Sequence, residues 1–160
     1  MKRLSEGARA RLETNIPENS GYDMALLTDI RILIVDDHPE MNELVKDILT
    51  AVGARVSSVG SAAAAFLALQ NFRPHLLVCD IGMPEEDGCS FIERVRALSR
   101  AAGGELPAVA LTAYTRNEDR LKAIVAGFTA YIPKPVRPDE LVAVLASLIP
   151  QARQHRSALP

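Results

Sequence analysis

Short apolar runs alternate with longer amphipathic segments across residues 30–149. The first run, residues 31–35, is rich in β-branched side chains and ends at an acidic pair. A continuous run of this kind is typical of a parallel strand that is buried on both faces. Apolar residues at helical spacing follow in residues 39–52, and Gly53 ends that segment. The pattern therefore predicts a strand followed by a helix.

The same alternation occurs four more times along the chain. Each later apolar run is again followed by a segment with helical spacing. The further predicted strands lie at residues 56–59, 75–79, 107–111 and 129–132. Five strand–helix units in about 120 residues predict an open parallel α/β sheet with helices on both faces.

Terminal signals and apolar positions place the individual helices. Ser61 can cap the second helix through its hydroxyl group. Leu44 lies on the apolar face that is predicted for the first helix. Leu121, Ile124 and Val125 place the fourth helix before a glycine.

The length of 160 residues fits one domain with a tail at each end. The alternating pattern predicts the domain at residues 30–149. Residues 1–29 are expected to form a partly flexible N-terminal extension, with a short helix where apolar residues recur four positions apart. Residues 150–160 are polar and are expected to form a flexible C-terminal tail.

The composition changes this picture mainly by what it excludes. With 48% hydrophobic residues the chain can bury a core, and a net charge of −2 gives no basic field to attract nucleic acid or anionic lipid. No apolar stretch reaches the ~18 residues of a membrane span, and residues 1–13 lack a signal-peptide core. Cys79 and Cys89 match neither a disulfide framework nor a zinc motif. We therefore expect a cytoplasmic protein with no membrane segment.

Polar residues collect where the predicted strands end. Asp36 and Asp37 follow the first strand, Asp80 the third, Thr112 the fourth, and Lys134 lies just after the fifth. In an open α/β sheet, ligands bind outside the carboxyl ends of the strands, where the strand order reverses. The flavodoxin-like order 2-1-3-4-5 makes strands one and three neighbours and brings these residues together. The order 3-2-1-4-5-6 would separate them, so the residues favour the flavodoxin-like fold.

Three carboxylates at one site repel one another and require positive charge nearby. Lys134 supplies one charge, and a hard divalent cation with oxygen ligands would supply the rest. Mg²⁺, which binds through a few carboxylates and water, fits best. Such a cation and a lysine would neutralise the oxygens of an incoming phosphoryl group, and a carboxylate such as Asp80 could be its nucleophile.

Several short motifs resemble the receiver domains of bacterial response regulators and of hybrid histidine kinases. They have the order and spacing typical of that family and cover about residues 30–149. The matching segments are residues 32–37 (ILIVDD), 79–84 (CDIGMP), 87–88 (DG), 111–113 (LTA) and 134–135 (KP). Residues 80–88 and 110–114 are most similar to receivers from hybrid kinases. The resemblance implies a phosphorylation-controlled domain of a two-component signalling system.

By this resemblance, the acidic cluster is a metal site and a phosphoacceptor. Asp80 would accept a phosphoryl group from a phosphohistidine. Asp37 and Asp80 would coordinate Mg²⁺ directly, Asp36 mostly through water, and Gly82 through its backbone carbonyl. Catalysis would be confined to the domain's own phosphorylation and slow autodephosphorylation, so we do not expect an enzyme that turns over other substrates.

The resemblance also implies how the phosphoryl group is held and sensed. Lys134, Thr112 and Ala113 would bind its oxygens. Thr112 would in addition be the switch hydroxyl, and Tyr131, three residues before Lys134, the switch aromatic. Family members commonly have a cis peptide at the step that corresponds to Lys134 and Pro135.

The expected partners are proteins. A histidine kinase or a histidine phosphotransfer protein would supply the phosphoryl group, and a downstream protein would bind the face formed by residues 116–148. A phosphorylation-dependent dimer is a further expectation. Only 11 residues follow Ile149, too few for a helix-turn-helix module, so we expect no contact with nucleic acid. The sequence leaves open whether the chain acts alone or is a piece of a hybrid kinase.

Two other functions fit parts of the pattern. A metal-dependent enzyme that transfers phosphoryl groups on small substrates would need a further acid or base, for which His38 is the nearest candidate. Because His38 precedes a proline at a helix start, we interpret it as a solvated loop residue. A nucleotide-binding module would need a glycine-rich phosphate-binding motif after the first strand, and the sequence has none there.

Overall fold

The computed structural model describes residues 26–113 and 116–157, with side chains described as far as residue 154. Within these residues five strands alternate with six helices. The elements are β1 (Arg31–Val35), α1 (Pro39–Ala51), β2 (Arg55–Val59), α2 (Ala62–Phe72), β3 (Leu76–Asp80), α3 (Gly88–Arg96), β4 (Ala108–Thr112), α4 (Asn117–Ala126), β5 (Ala130–Pro133), α5 (Pro138–Ser147) and α6 (Ile149–Ser157). Each of the five predicted strand–helix units is present.

The strands form one parallel sheet in the order β2-β1-β3-β4-β5. β1 and β3 are therefore neighbours, with Val35 opposite Cys79. The prediction of a flavodoxin-like fold with this strand order is confirmed. The strand order reverses between β1 and β3, which is where such sheets bind ligands.

Burial within the sheet explains which strands the sequence predicted most clearly. All residues of β3 and β4 are buried, as are four of the five in β1. Strand β2 lies at the edge of the sheet and is half exposed, which accounts for its weaker apolar pattern. Alternate residues of the buried strands enter two cores, one beneath α1 and α5 and one beneath α2, α3 and α4. We call these the α1/α5 core and the α2–α4 core.

One helix presents a different face from the one that its large apolar residues suggest, and a second helix has one residue on the wrong face. In α4, Leu121, Ile124 and Val125 are 64%, 45% and 78% exposed, whereas the inward face consists of Ala123 and Ala126. Leu44 on α1 is likewise 41% exposed, so its assignment to the buried face is wrong. Helical spacing identifies a helix, but small residues can form its buried face as well as large ones.

The packed domain extends beyond both predicted boundaries. Leu27 is fully buried in the α1/α5 core, and its amide donates to the carbonyl of Val52 at 2.9 Å. The prediction of a flexible tail from residue 150 is wrong as far as residue 157, because α6 continues there and Ala152 is fully buried. Pro150 is compatible with the helix because it lies in its first turn. The helix predicted within residues 1–29 lies outside the described residues.

Helix α2 begins where its sequence signal predicts. The Ser61 hydroxyl oxygen accepts a hydrogen bond from the amide of Ala64 at 3.1 Å, as predicted for a cap. Asp87 caps α3 in the same way, through the amide of Ser90 at 2.8 Å.

Among the helices of the described residues, none has the length and apolar character needed to cross a membrane.

Candidate functional site

The carboxyl ends of β1, β3 and β4 converge at one edge of the sheet. Asp36 directly follows β1, while Asp80 and Thr112 are the last residues of β3 and β4. Asp80 lies opposite Leu111, and Thr112 opposite Pro133, so the sheet register places Lys134 beside these strand ends. Asp36, Asp80 and Thr112 are all buried, at 0%, 3% and 3% exposure.

Lys134 links the carboxylates of two strands. Its ammonium nitrogen lies 3.1 Å from Oδ1 of Asp80 and 3.4 Å from Oδ2 of Asp36. Its backbone amide donates to the carbonyl of Thr112 at 2.7 Å, which fixes the chain after β5. Burial lowers the pKa of Lys134, but the hydrogen bond to Asp80 and the charge of Asp36 outweigh it and leave the pKa raised. The ammonium group is therefore charged at neutral pH.

Asp36 and Asp37 have different surroundings although they are adjacent. Oδ1 of Asp36 accepts a hydrogen bond from the amide of His38 at 2.9 Å. The side chain of Asp37 is 24% exposed, yet its Oδ1 atom is buried and has no hydrogen-bond partner. Such an atom is costly to bury unless something else binds it.

His38 belongs to the same cluster. Its Nδ1 atom lies 3.1 Å from Oδ1 of Asp36 and 3.3 Å from Oδ1 of Asp37. The hydrogen bond to Asp36, followed by the charge of Asp37, raises the pKa of His38. The ring is exposed, as the sequence analysis expected, but it is held against the acidic pair rather than free in solvent.

The cluster has the composition of a divalent cation site. One possible ligand atom from each of Asp36, Asp37, His38 and Asp80 lies within 4.8 Å of all the others. Carboxylate oxygens are the ligands that Mg²⁺ prefers. The Oδ1 atom of Asp37 accepts no hydrogen bond from the described residues and is available for direct coordination, although Nδ1 of His38 lies 3.3 Å from it. The residues present therefore fit Mg²⁺.

The loop after Asp80 is folded tightly against it. The amide of Gly82 donates to Oδ1 of Asp80 at 3.2 Å, and the amide of Gly88 donates to the carbonyl of Ile81 at 2.8 Å. A Cβ atom at Gly88 would lie only 2.5 Å from the carbonyl oxygen of Asp80, whereas one at Gly82 would meet nothing within 4 Å. Glycine is thus required at Gly88 by close backbone packing against Asp80.

A cleft of about 380 Å³ lies beside these residues. It separates the β3–α3 loop from α4, and both Gly82 and Thr112 line it. Asp119 and Lys122 of α4 form part of its wall. The edge of the site that carries Thr112 is therefore bounded by an open space rather than by tightly packed side chains.

Tyr131 lies on β5, half-buried and packed against the α2–α4 core. In the sheet it is opposite Ala110, two residues before Thr112. The guanidinium carbon of Arg120 lies 4.8 Å from the centre of its ring. The peptide bond between Lys134 and Pro135 is cis, as the family resemblance implied.

The structure brings Asp36, Asp37, Asp80 and Lys134 into direct proximity, and Gly82 contacts Asp80. Ala113 is exposed and directly follows Thr112 at the end of β4. Tyr131 lies on the neighbouring strand.

Sequence reasoning missed Asn42, whose side-chain nitrogen donates to the carbonyl of Asp36 at 2.8 Å and to that of Val59 at 3.3 Å. Nothing in the local sequence marks Asn42, because its two acceptors come from different strand ends. The contact of His38 with the cluster had one signal in the sequence, because His38 directly follows the acidic pair.

Comparisons with known proteins agree with this arrangement. A family model described as the response regulator receiver domain matches residues 32–146. An uncharacterized 14.6 kDa protein in the sodA1 3′ region of Leptolyngbya boryana is 44% identical over 122 residues, 76% of this chain and 92% of that protein. Response regulator Rre1 of Synechocystis sp. is 37% identical over 130 residues, 81% of this chain. This chain spans about half of Rre1, 54% of its length.

Solved structures show the same fold. The Vibrio cholerae chemotaxis protein CheY4 is similar with a TM-score of 0.70 and 25% sequence identity. The similarity covers 75% of this chain and 98% of CheY4.

Proposed function

Because this chain belongs to the family of response regulator receiver domains, we propose that it takes a phosphoryl group from a phosphohistidine onto Asp80 and signals to a protein partner. The observation that carries the proposal is the ion pair between Asp80 and Lys134, 3.1 Å long, within a cluster of carboxylates. One edge of the sheet thereby combines a nucleophile, a cation that can bind phosphoryl oxygens, and a set of metal ligands.

The proposed transfer forms one bond and breaks another. A carboxylate oxygen of Asp80 attacks the phosphorus atom, the bond from phosphorus to the imidazole nitrogen breaks, and the imidazole leaves and takes up a proton. The product is an aspartyl phosphate. The Lys134 ammonium then binds a phosphoryl oxygen in place of the carboxylate oxygen that it contacts now. The hydroxyl of Thr112 and the backbone amide of Ala113 bind the others.

Receiver domains of this family use Mg²⁺ in an acidic pocket. We propose that Asp37 and Asp80 coordinate it directly, Asp36 mostly through water, and Gly82 through its backbone carbonyl. The Oδ1 atom of Asp37, which accepts no hydrogen bond from the described residues, supports its direct role. When bound, Mg²⁺ neutralises negative charge on the carboxylates and on the phosphoryl oxygens. The protein's contribution is to hold these oxygens together, which the Lys134 contacts and the hydrogen bond from His38 to Asp36 do.

Phosphorylation adds about two negative charges at Asp80. In the proposed switch, Thr112 moves to hydrogen-bond a phosphoryl oxygen and Tyr131 turns into the space that it leaves. A ligand that moves such an equilibrium from 1:99 to 99:1 must bind the favoured state better by roughly 5.5 kcal/mol. The open cleft lined by Thr112 supports the proposal, because it leaves room for rearrangement at this edge.

The proposed partners are proteins on both sides of the relay. A histidine kinase or a histidine phosphotransfer protein donates the phosphoryl group, and a downstream protein binds the face formed by residues 116–148. The exposed apolar residues of α4, Leu121, Ile124 and Val125, support this face as the output surface, which could also serve a phosphorylation-dependent dimer. The free thiols of Cys79 and Cys89 are consistent with a reducing, cytoplasmic location.

Receiver domains are signalling domains rather than enzymes that turn over external substrates. We propose that this one catalyses its own phosphorylation and a slow hydrolysis of its aspartyl phosphate, in which water displaces the carboxylate from phosphorus.

The test of the phosphoacceptor uses acetyl phosphate as donor, with Mg²⁺, and intact-protein mass as readout. The wild type should gain one phosphoryl group and Asp80→Asn none. Asp87→Asn is the matched control, because it removes one charge from the same loop while asparagine still caps α3. Equal phosphorylation of wild type and Asp80→Asn would refute the assignment.

The switch has a separate test. Thr112→Ala should still be phosphorylated but should no longer change its binding to the downstream partner on phosphorylation. A variant that responded to phosphorylation like the wild type would remove Thr112 from the switch.

A further inference from the structure

Arg120 is a charged residue whose contacts are unusual for this structure. It lies on α4, half-buried, and its Nε atom is buried without a hydrogen-bond partner. Among the side chains that the structure describes, no carboxylate forms an ion pair with Arg120. Its guanidinium group instead lies over the ring of Tyr131, 4.8 Å from the ring centre.

A second arginine shows what distinguishes this contact. Arg94 also stacks on an aromatic ring, that of Phe66, at 4.2 Å. Arg94, however, is 56% exposed and forms an ion pair with Glu86. The contact of a cation with an aromatic face is strongest where water is excluded and no carboxylate competes for the cation. Arg120 meets both conditions more closely than Arg94.

The position of Arg120 connects two elements of the proposed switch. The inward face of α4 is formed by Ala123 and Ala126, so Arg120 occupies the flank of the helix that faces β5. Its partner Tyr131 lies three residues before Lys134. When the Tyr131 ring turns, its present contact with Arg120 on α4 must therefore break.

We propose that Arg120 is a positioning residue that holds Tyr131 in its present ring position and so sets how readily the domain switches. The role in switching rests on the proposed function, whereas the contact itself does not. In the proposed switch the Tyr131 ring has a second position, in the space that Thr112 leaves. Loss of the guanidinium group should raise the population of that second position by roughly threefold to tenfold.

The contact is tested in the full chain labelled with 3-fluorotyrosine, by ¹⁹F NMR. The chain has three tyrosines, and Tyr131→Phe identifies the resonance of Tyr131. In the unphosphorylated protein, Arg120→Met should raise the population of a second Tyr131 resonance by the stated factor. Arg120→Lys keeps the charge and should fall between wild type and Arg120→Met. Arg116→Met removes the same charge next to the same helix and should match the wild type.

The role in switching is tested by titrating the same proteins with beryllofluoride and Mg²⁺, a stable mimic of the phosphoryl group. Arg120→Met should switch at a roughly threefold to tenfold lower concentration than the wild type. Equal midpoints, with a Tyr131 resonance that moves in both proteins, would refute the inference and leave the proposed function intact. A Tyr131 resonance that never responds to beryllofluoride would instead refute the proposed switch. A lower population of the second position in Arg120→Met would reverse the sign and also overturn the inference.

Discussion

The ammonium group of Lys134 lies between two carboxylates, 3.1 Å from Asp80 and 3.4 Å from Asp36. With Asp37, the cluster has three carboxylates, against which stand the Lys134 ammonium and the His38 imidazole, so negative charge is in excess. The carboxylate oxygens lie within 4.8 Å of one another, and like charges this close lower the stability of the fold unless further positive charge is bound. The acidic cluster thus favours cation binding, and it lowers the stability of the protein when no cation is bound.

Asp37→Asn should therefore stabilise the protein in the presence of EDTA, by about 1 kcal/mol, because it removes one of the repelling charges. With saturating Mg²⁺ the order should reverse, since the wild type gains stability from metal binding and the variant gains much less. Urea unfolding in both conditions measures this. Glu43→Gln, which removes an exposed charge on α1, should change neither value. A variant less stable than the wild type in EDTA would contradict the excess of negative charge.

The two thiols give a pH-dependent prediction. Burial, and then the charge of Asp80, raises the pKa of Cys79 well above its usual range, and burial also raises the pKa of Cys89. A raised pKa keeps the thiol protonated, so the reactive thiolate is scarce at neutral pH and increases only as the pH rises. Reaction with Ellman's reagent should be at least about a hundredfold slower than in concentrated urea. Fast reaction of the folded protein would contradict the burial of both thiols.

The β3–α3 loop leaves no room for a side chain at Gly88. Its carbonyl at Asp80 would meet a Cβ atom at Gly88 at 2.5 Å. Because the loop carries the proposed phosphoacceptor, backbone packing there controls both stability and the position of the Asp80 carboxylate.

Gly88→Ala should destabilise the protein by about 1–3 kcal/mol and slow its phosphorylation, because the backbone at Asp80 must shift. Gly82→Ala is the matched control, since an added Cβ would meet nothing within 4 Å there. Thermal unfolding and phosphorylation by acetyl phosphate measure the two effects. If both variants behaved alike, the close approach of Gly88 to Asp80 would not limit the loop.

The helices show what a sequence pattern can and cannot predict about an element. The cap at Ser61 was predictable, because it depends on one side chain and an amide three residues away. The orientation of α4 was not, since its apolar residues lie on the outer face and two alanines on the inner one. Periodicity reports that a helix has faces, and only packing decides which face is buried.

The domain as a whole includes more of the chain than its repeating pattern. Leu27 precedes the first strand and Ala152 lies in α6, yet both are fully buried in the α1/α5 core. The family model, in contrast, covers residues 32–146. Segments outside that range therefore contribute to the stability of the α1/α5 core.

Truncation after Leu148 should lower the free energy of unfolding by about 1–3 kcal/mol, because it removes Ala152 and exposes Leu148. Truncation after Ser157 keeps all of α6 and should have little effect. Urea unfolding measures both. If the two truncated proteins were equally stable, α6 would not contribute to the core.

The sequence by itself determined the α/β class, the strand order and the residues that end each strand. These follow from local periodicity and from general rules for parallel sheets, which act over short stretches of chain. Tertiary structure alone decided the contacts of His38 and Asn42 with the acidic pair and of Arg120 with Tyr131. Such contacts join side chains from different elements, and their distances depend on how helices pack against the sheet, which no local pattern specifies.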